Sequence, residues 1–430
     1  MPPEALDVWC FGERAGALVD APDGLAFAYA DAWVAAGHPP LSQALPLDGG
    51  FASAAVAAFF GGLLPEGAPR DTLARQVGVS VGNDFSLLAA IGGDTAGAVS
   101  VVPAGEAPPD GRGEVRWLTD DELAREIDEL PTRPMHADQE GEYRLSLAGA
   151  QDKLPVVVGE DGRVGLTTGR TPSTHIMKTP IAGLDDTVVN EAMCLDVGRR
   201  LGMEVVDAVP RAAAGRECLL VGRYDRAPGV DGTVRLHQED FCQALGIPPA
   251  RKYQAEGGPT LPDCFALLRR AGVVPAREAL RLLDAVALSF LVGNHDAHGK
   301  NFSLLYAPGG AKARLAAVYD VLDTITYRGA RRMSRKMAMS IGKEFRPDYV
   351  RDRHLDALLA ESRLGAAAAK RRLRGLAERA PEAARAARQA LADDGWDRPV
   401  LERIVATVDQ RAAWLASIAA AAPARRRTAG

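Results

Sequence analysis

The chain has no C-x-x-C pair: its five cysteines, at positions 10, 194, 218, 242 and 264, are scattered and odd in number. That pattern argues against a disulfide framework or a cysteine zinc site and reads as buried thiols in a reducing compartment. No run of 18 apolar residues occurs, and the start, Met1-Pro2-Pro3-Glu4-Ala5, has neither a basic nor an apolar leader stretch. Neither a membrane span nor a secretory signal is therefore expected, and the expected location is the cytoplasm. Positive charge is not in excess either. A net charge of -5 over 430 residues argues against a whole-surface nucleic-acid binder, though not against a local basic patch.

What is present is ordinary globular composition, 47% hydrophobic and 25% charged, in a chain too long for one core. Short alternating strands and two helical patterns suggest a small α+β unit over residues 1–103. A Pro- and Gly-rich linker over 104–113 follows. Strand patterns dominate 114–255. Among them, Leu154–Val158 and Arg163–Leu166 form a hairpin around Asp161 and Gly162, and a strand ends at Lys178. From 256 to 430 the texture is helical: a start at Thr260, a nearly all-apolar core helix over 279–291, and Ala/Leu/Arg-rich helices beyond 351. The fold class expected is α+β, two-lobed and kinase-like, with a strand-rich first half and an all-α C-terminal lobe.

The densest chemistry follows the core helix. After Gly293 come Asn294, His295, Asp296, His298, Lys300 and Asn301. Asp296 and Asn301 have the D-x-x-x-x-N spacing of a kinase catalytic loop, in which the Asp meets the acceptor hydroxyl and the Asn a metal. Asp320, after the apolar run Leu315–Tyr319, is a second hard-oxygen ligand of the kind Mg²⁺ takes, expected at a strand end. Lys178 can neutralise phosphates, and Glu191 on the next helix can pair with it. Each has a plainer alternative. A spacing of five arises by chance, Asp320 suits a turn, and Lys178 suits a solvated edge. His295 and His298 suit an N-cap or a weak metal pair. The order of these residues along the chain is what favours phosphoryl transfer.

At this point the chain resembles the HipA-family serine/threonine kinases, the toxin half of type II toxin–antitoxin pairs. The resemblance rests on Leu145–Lys153 (LSLAGAQDK), Ser173–Lys178 (STHIMK), Asn190 with Glu191, and Arg223–Arg226 (RYDR). It continues through Gln238–Gln243 (QEDFCQ), Lys252 and Tyr253 with Gly257–Pro259, Asn294–Asn301 (NHDAHGKN), and Tyr319 with Asp320. Near the start, Phe59–Gly67 (FFGGLLPEG) and Asn83–Ile91 (NDFSLLAAI) match as well.

The resemblance implies an ATP- and Mg²⁺-dependent protein kinase. By it, Ala148, Gly149, Ala150, Gln151, Asp152 and Lys153 form the loop over ATP, and Lys178 contacts phosphates. Glu239, Asp240 and Phe241 form the adenine hinge, and Asp296 is the catalytic base. His298, Gly299, Lys300 and Asn301 contact nucleotide, Tyr319 and Asp320 replace the D-F-G segment, and Asn301 and Asp320 hold Mg²⁺. Ser146 matches an autophosphorylated, self-inactivating serine. A HipB-like helix-turn-helix antitoxin, operator DNA reached through it, and a protein substrate such as an aminoacyl-tRNA synthetase are the implied partners. Ala297 stands where the family often has Gly, and Asp152 where Glu is frequent; neither change removes a ligand or donor. The alternatives are a small-molecule phosphotransferase and a DNA-bound corepressor. A basic stretch, Arg328, Arg331, Arg332, Arg335, Lys336, Lys343 and Arg346, suits DNA, substrate or simply solvent.

Overall fold

A computed structural model of the chain describes residues 3–108, 113–136, 145–167, 171–229, 232–327 and 334–420. Its contacts group into two units. One comprises Met1–Gly183, Val206–Ala250 and Ser303–Ala316; the other comprises Leu184–Val205, Arg251–Phe302 and Ala317–Gly430.

The first unit opens with an antiparallel sheet of strands Gly24–Tyr29, Glu13–Ala21, Leu6–Cys10 and Val99–Pro103, in that spatial order. Alternation sends Leu6, Val8 and Cys10 into a core completed by Phe59, Phe60, Leu87, Leu88 and Ile91 from helices Ser53–Gly61 and Asp84–Ile91. A six-stranded antiparallel sheet follows, ordered Val115–Trp117, Val164–Thr167, Lys153–Val158, His175–Lys178, Arg216–Gly222 and Ala208–Ala213. Leu154, Val156, Met177 and Cys218 line one face and pack under Leu123 and Ile127 of helix Asp120–Glu129. That helix starts at a capping box, in which Thr119 and Glu122 satisfy each other's end of the first turn. The expected hairpin is present, and Gly162 takes φ +77° in its turn, a conformation costly for any side chain with a Cβ.

Two short strands inside the helical-looking half, Ser303–Tyr306 and Ala313–Leu315, form a three-stranded sheet with Gln238–Asp240. Runs of three and four residues are too short for periodicity to distinguish them from a helical segment.

The second unit is helical: Thr187–Arg200, Leu261–Ala271, Pro275–Leu291, Asp352–Glu361, Ala366–Asp393 and Pro399–Ala420. Leu282, Leu283, Leu288 and Leu291 of the central helix are all but fully buried, as its apolar sequence requires. Among the described residues, no helix is long and apolar enough to cross a membrane. Of the basic stretch, Arg328, Arg331 and Arg332 lie outside the described residues, whereas Arg335, Lys336, Lys343 and Arg346 are exposed.

Candidate active site

In the second unit the helix Pro275–Leu291 runs out at Gly293, whose φ is +75°. A Cβ there would meet Ile325 at 2.6 Å, so both backbone and space require glycine. The Gly293 carbonyl accepts from the Thr324 amide at 3.2 Å and the Thr324 hydroxyl at 3.0 Å, which fixes where the loop departs. Asn294 Oδ1 then accepts from the Asp296 amide at 3.0 Å, and the Asp296 carbonyl from the His298 amide at 2.8 Å. These bonds wind the loop tightly and leave Asp296 exposed while His298, Lys300 and Asn301 are buried.

Asn301 and Asp320, nineteen residues apart, come together: Asn301 Nδ2 donates to Asp320 Oδ2 at 2.9 Å. Tyr319 supports the same contact by donating from its hydroxyl to the Lys300 carbonyl at 2.6 Å. Asp320 takes φ +58°, a left-handed conformation that a non-glycine residue holds at some cost and that clusters at functional sites. The expected strand does not reach it. Ala313–Leu315 ends five residues earlier, and Val318 makes an isolated bridge to Val205. Asp320 is placed by these side-chain and bridge contacts rather than by a strand end. Among the described residues no cluster of three or more His, Cys, Asp or Glu side chains suits a metal. An Asn–Asp pair of oxygens instead fits Mg²⁺, which keeps several waters and asks little of the protein.

In the first unit, register places Lys153 directly opposite Lys178 across strands Lys153–Val158 and His175–Lys178. Two cations on one face repel each other unless an anion joins them, and polyphosphate is such an anion. Lys153 Nζ donates to the Ala148 carbonyl and closes the Ala148–Lys153 loop on itself. Gly149 takes φ +110°, a conformation that residues with a Cβ rarely adopt, and a Cβ there would displace that ammonium. The loop is held at both ends: its Gly149 carbonyl accepts from the Glu66 amide at 3.0 Å, and Gln151 donates to the Thr179 carbonyl at 2.8 Å. Ala150 lies within this closed turn, and burial raises the pKa of the Asp152 carboxyl.

The Glu239–Phe241 segment turns its side chains to structural work. Glu239 accepts from Ser42 at 2.5 Å, the Gln43 amide at 3.1 Å and Tyr306 at 2.5 Å. Asp240 caps helix Phe241–Leu245, and Phe241 is fully buried. What the segment can offer a base is main chain. Burial pushes the Glu239 carboxyl up to about 7, against hydrogen bonds from Ser42, Tyr306 and Gln43 that favour its charged form. The folded state therefore holds a proton that the unfolded chain releases near pH 4.3, and stability falls as pH rises between those values. Replacing Glu239 by Gln flattens that slope, which thermal melts from pH 4 to 8 measure; an unchanged slope places the titration elsewhere.

Ser146 is fully buried between Leu145 and Leu147. Its hydroxyl donates to the Leu63 carbonyl at 2.7 Å, and its amide to the Asp94 carbonyl at 2.9 Å. Lys178 lies in the first unit and Glu191, buried, in the second. His295 lies with Nδ1 3.3 Å from the Ser334 carbonyl, and His298 stands edge-on to the Tyr253 ring; among the described residues neither sits in a ligand cluster.

Three features escaped sequence reading. Asp94 is buried among Arg226, Arg235 and Arg223, with Ser173 donating to it at 2.7 Å. Asn190 clamps the segment after Asp320, accepting from the Asp323 amide at 2.8 Å and donating to its carbonyl at 3.0 Å. The Tyr253 hydroxyl donates to Asp296 Oδ1 at 2.8 Å. No local pattern announces such pairs, since their members lie from 43 to 133 residues apart for Tyr253 and Asn190.

Comparison with known proteins places this geometry in a family. The model of the HipA-like C-terminal domain matches residues 145–389, and that of the HipA N-terminal domain matches residues 6–102. A Sinorhizobium fredii protein described as a kinase, Y4mE, is 46% identical over 348 residues, covering 79% of this chain and 81% of its own. The serine/threonine-protein kinase toxin HipA of Shewanella oneidensis is 33% identical over 342 residues, 76% of each chain. A solved structure of Shewanella oneidensis HipA with HipB and operator DNA superposes with a TM-score of 0.78 at 29% identity, covering 96% of each chain. The fold is thus the two-lobed, α+β kinase-like fold. The chain belongs to the HipA family of kinase toxins and is itself a protein serine/threonine kinase.

Proposed function

We propose that the chain transfers the γ-phosphate of ATP to a serine or threonine of a cellular protein, acting as the growth-arresting toxin of a toxin–antitoxin pair in the cytoplasm. The observation that carries this reading is the contact at 2.9 Å between Asp320 and Asn301, the latter on the loop that presents Asp296. In the transfer, the acceptor oxygen bonds the γ-phosphorus as the bond to the β-bridging oxygen breaks, and ADP leaves with the electron pair. Asp296 receives the hydroxyl proton. Asn301 and Asp320 are the residues that would hold Mg²⁺, which when bound offsets charge developing on the phosphates. Lys178, Lys153 and the Ala148–Lys153 loop bind phosphates, the Glu239–Phe241 main chain binds adenine, and His298–Lys300 with Tyr319 line the nucleotide. Residues 1–103 serve as an amino-terminal subdomain, 114–255 as the first kinase lobe and 256–430 as the second, with 104–113 as linker.

The HipB and operator DNA of the Shewanella structure support a HipB-like helix-turn-helix antitoxin as partner, with operator DNA reached through it and the exposed cations from Arg335 to Arg346 available to DNA or substrate. An aminoacyl-tRNA synthetase is the substrate class proposed. Ser146 is proposed as the autophosphorylation site that switches the enzyme off. Its hydroxyl is buried, so segment 145–147 must leave Leu63 and Asp94 before it can accept phosphate. A phosphate, carrying about -1.5 to -2 charge, then bars return to the apolar site between Leu145 and Leu147 and displaces the nucleotide loop. Ser146→Ala accordingly keeps its transfer rate through an ATP preincubation that progressively silences the unsubstituted protein. Equal loss in both, followed by ³²P transfer, removes Ser146 from this role.

A further inference from the structure

The hydrogen bond from Tyr253 to Asp296 gives a role to a residue that the reading above leaves unused. Asp296 is exposed, and a carboxylate at the end of two rotatable bonds takes its orientation from the contacts it makes. Tyr253 is the opposite. Its carbonyl accepts from the amides of Glu256 and Gly258, both at 2.9 Å. Gly257 turns at φ +92°, and a Cβ on Gly258 would meet the Tyr253 carbonyl group at 2.7 Å. The next residue, Gln254, is tied to segment 338–340. Its amide donates to the Ala338 carbonyl at 3.2 Å, its side-chain amide nitrogen to Ser340 Oγ at 3.0 Å, and its side-chain oxygen accepts from the Ser340 amide at 2.8 Å. The Tyr253 ring stands edge-on to His298 at 5.1 Å, with the Lys252 ammonium 5.7 Å from its centroid. A rigid platform thus presents one hydroxyl to one oxygen of an exposed carboxylate.

We propose that Tyr253 is the positioning residue of the catalytic carboxylate: it holds Asp296 in the orientation that meets the acceptor hydroxyl. This inference rests on the reading of Asp296 as the proton acceptor. A phenol, with its pKa near 10, donates a hydrogen bond to a carboxylate without surrendering its proton. Asp296 therefore keeps the negative charge that the acceptor's proton must find. Tyr253 touches neither nucleotide nor acceptor in this account and acts through Asp296 alone.

The test uses the full-length chain as wild type, Tyr253→Phe, Asp296→Asn and the double variant, with [γ-³²P]ATP, Mg²⁺ and a heat-treated bacterial lysate as acceptor. Loss of orientation is expected to lower kcat by about tenfold or more in Tyr253→Phe, with KM for ATP, the Kd for a fluorescent ATP analogue and the thermal melt unchanged. In the Asp296→Asn background the same substitution is expected to cost nothing further, because the group it orients is gone. A wild-type rate in Tyr253→Phe overturns the proposal. So does a faster rate, which would make the hydroxyl a competitor of the acceptor, and so does an equal loss in both backgrounds. Wild-type protein that transfers no phosphate overturns the kinase reading itself and this inference with it.

Discussion

Replacing Asp296 by Asn lowers phosphate transfer by about 10²- to 10⁴-fold, the range lost when a positioned general base is removed, while ATP still binds. The two outcomes separate because Asp296 is exposed on its loop, whereas the nucleotide groups proposed for that loop, from His298 to Asn301, are buried. The amide of Asn is nearly the size and shape of the carboxylate and can accept the Tyr253 hydroxyl. The loop hydrogen bonds, from the amide at 296 to Asn294 Oδ1 and from the His298 amide to the carbonyl at 296, involve only the main chain at 296 and survive. What is lost is the charge that takes the acceptor's proton. Initial rates with [γ-³²P]ATP, set beside nucleotide affinity by titration calorimetry, measure both halves. Transfer within a few-fold of wild type would remove Asp296 from the chemistry.

The second large effect concerns stability. Asp94 accepts from Arg226 at 2.7 Å and Arg235 at 2.6 Å, with Arg223 at 3.7 Å, and all four side chains are largely or fully buried. Burial alone would raise the Asp94 carboxyl, but the guanidinium groups of Arg226, Arg235 and Arg223 outweigh it and hold it well below the usual carboxylate range. Asp225, facing Arg223 and Arg226, is held low in the same way. Asp94→Asn leaves buried cations short of their counter-charge, a change that costs roughly 3–5 kcal/mol when a buried pair is broken. A carboxyl depressed on folding stabilises fully above its unfolded value, near 3.9, and loses that contribution as pH falls through the folded value. The gap between wild type and Asp94→Asn in urea melts is therefore full at pH 7, begins to close below about pH 4, and narrows further toward pH 2. A constant gap down to pH 2 would mean that packing, not charge, carries the site. Because the Ser146 amide donates to the Asp94 carbonyl, the same cluster also supports the segment leading into the nucleotide loop.

Legibility in the sequence followed distance along the chain. The helix before the catalytic loop, its glycine exit and the Asp296–Asn301 spacing occupy one stretch, so apolar periodicity and local spacing suffice. The hairpin around Gly162 and the capping box at Thr260 are local for the same reason. The Asp94 cluster draws on residues 94, 173, 223, 225, 226 and 235, which meet only once the sheets are formed. Arg223–Arg226 were visible as a motif, but nothing in their spacing says that they face an acid more than a hundred residues away. Tyr253 likewise stood within a matched motif without a task until its hydroxyl was placed on Asp296. Strands Ser303–Tyr306 and Ala313–Leu315 gain their identity from pairing with Gln238–Asp240, a tertiary fact that overrides local preference.

The central claim, that Asp296 drives transfer of phosphate to protein hydroxyls, is tested most directly by phosphoproteomics after brief induction of wild type and of Asp296→Asn. Phosphoserine or phosphothreonine peptides are expected to appear with wild type and to be missing with the variant. The same peptides in both, or label confined to small metabolites, would contradict it.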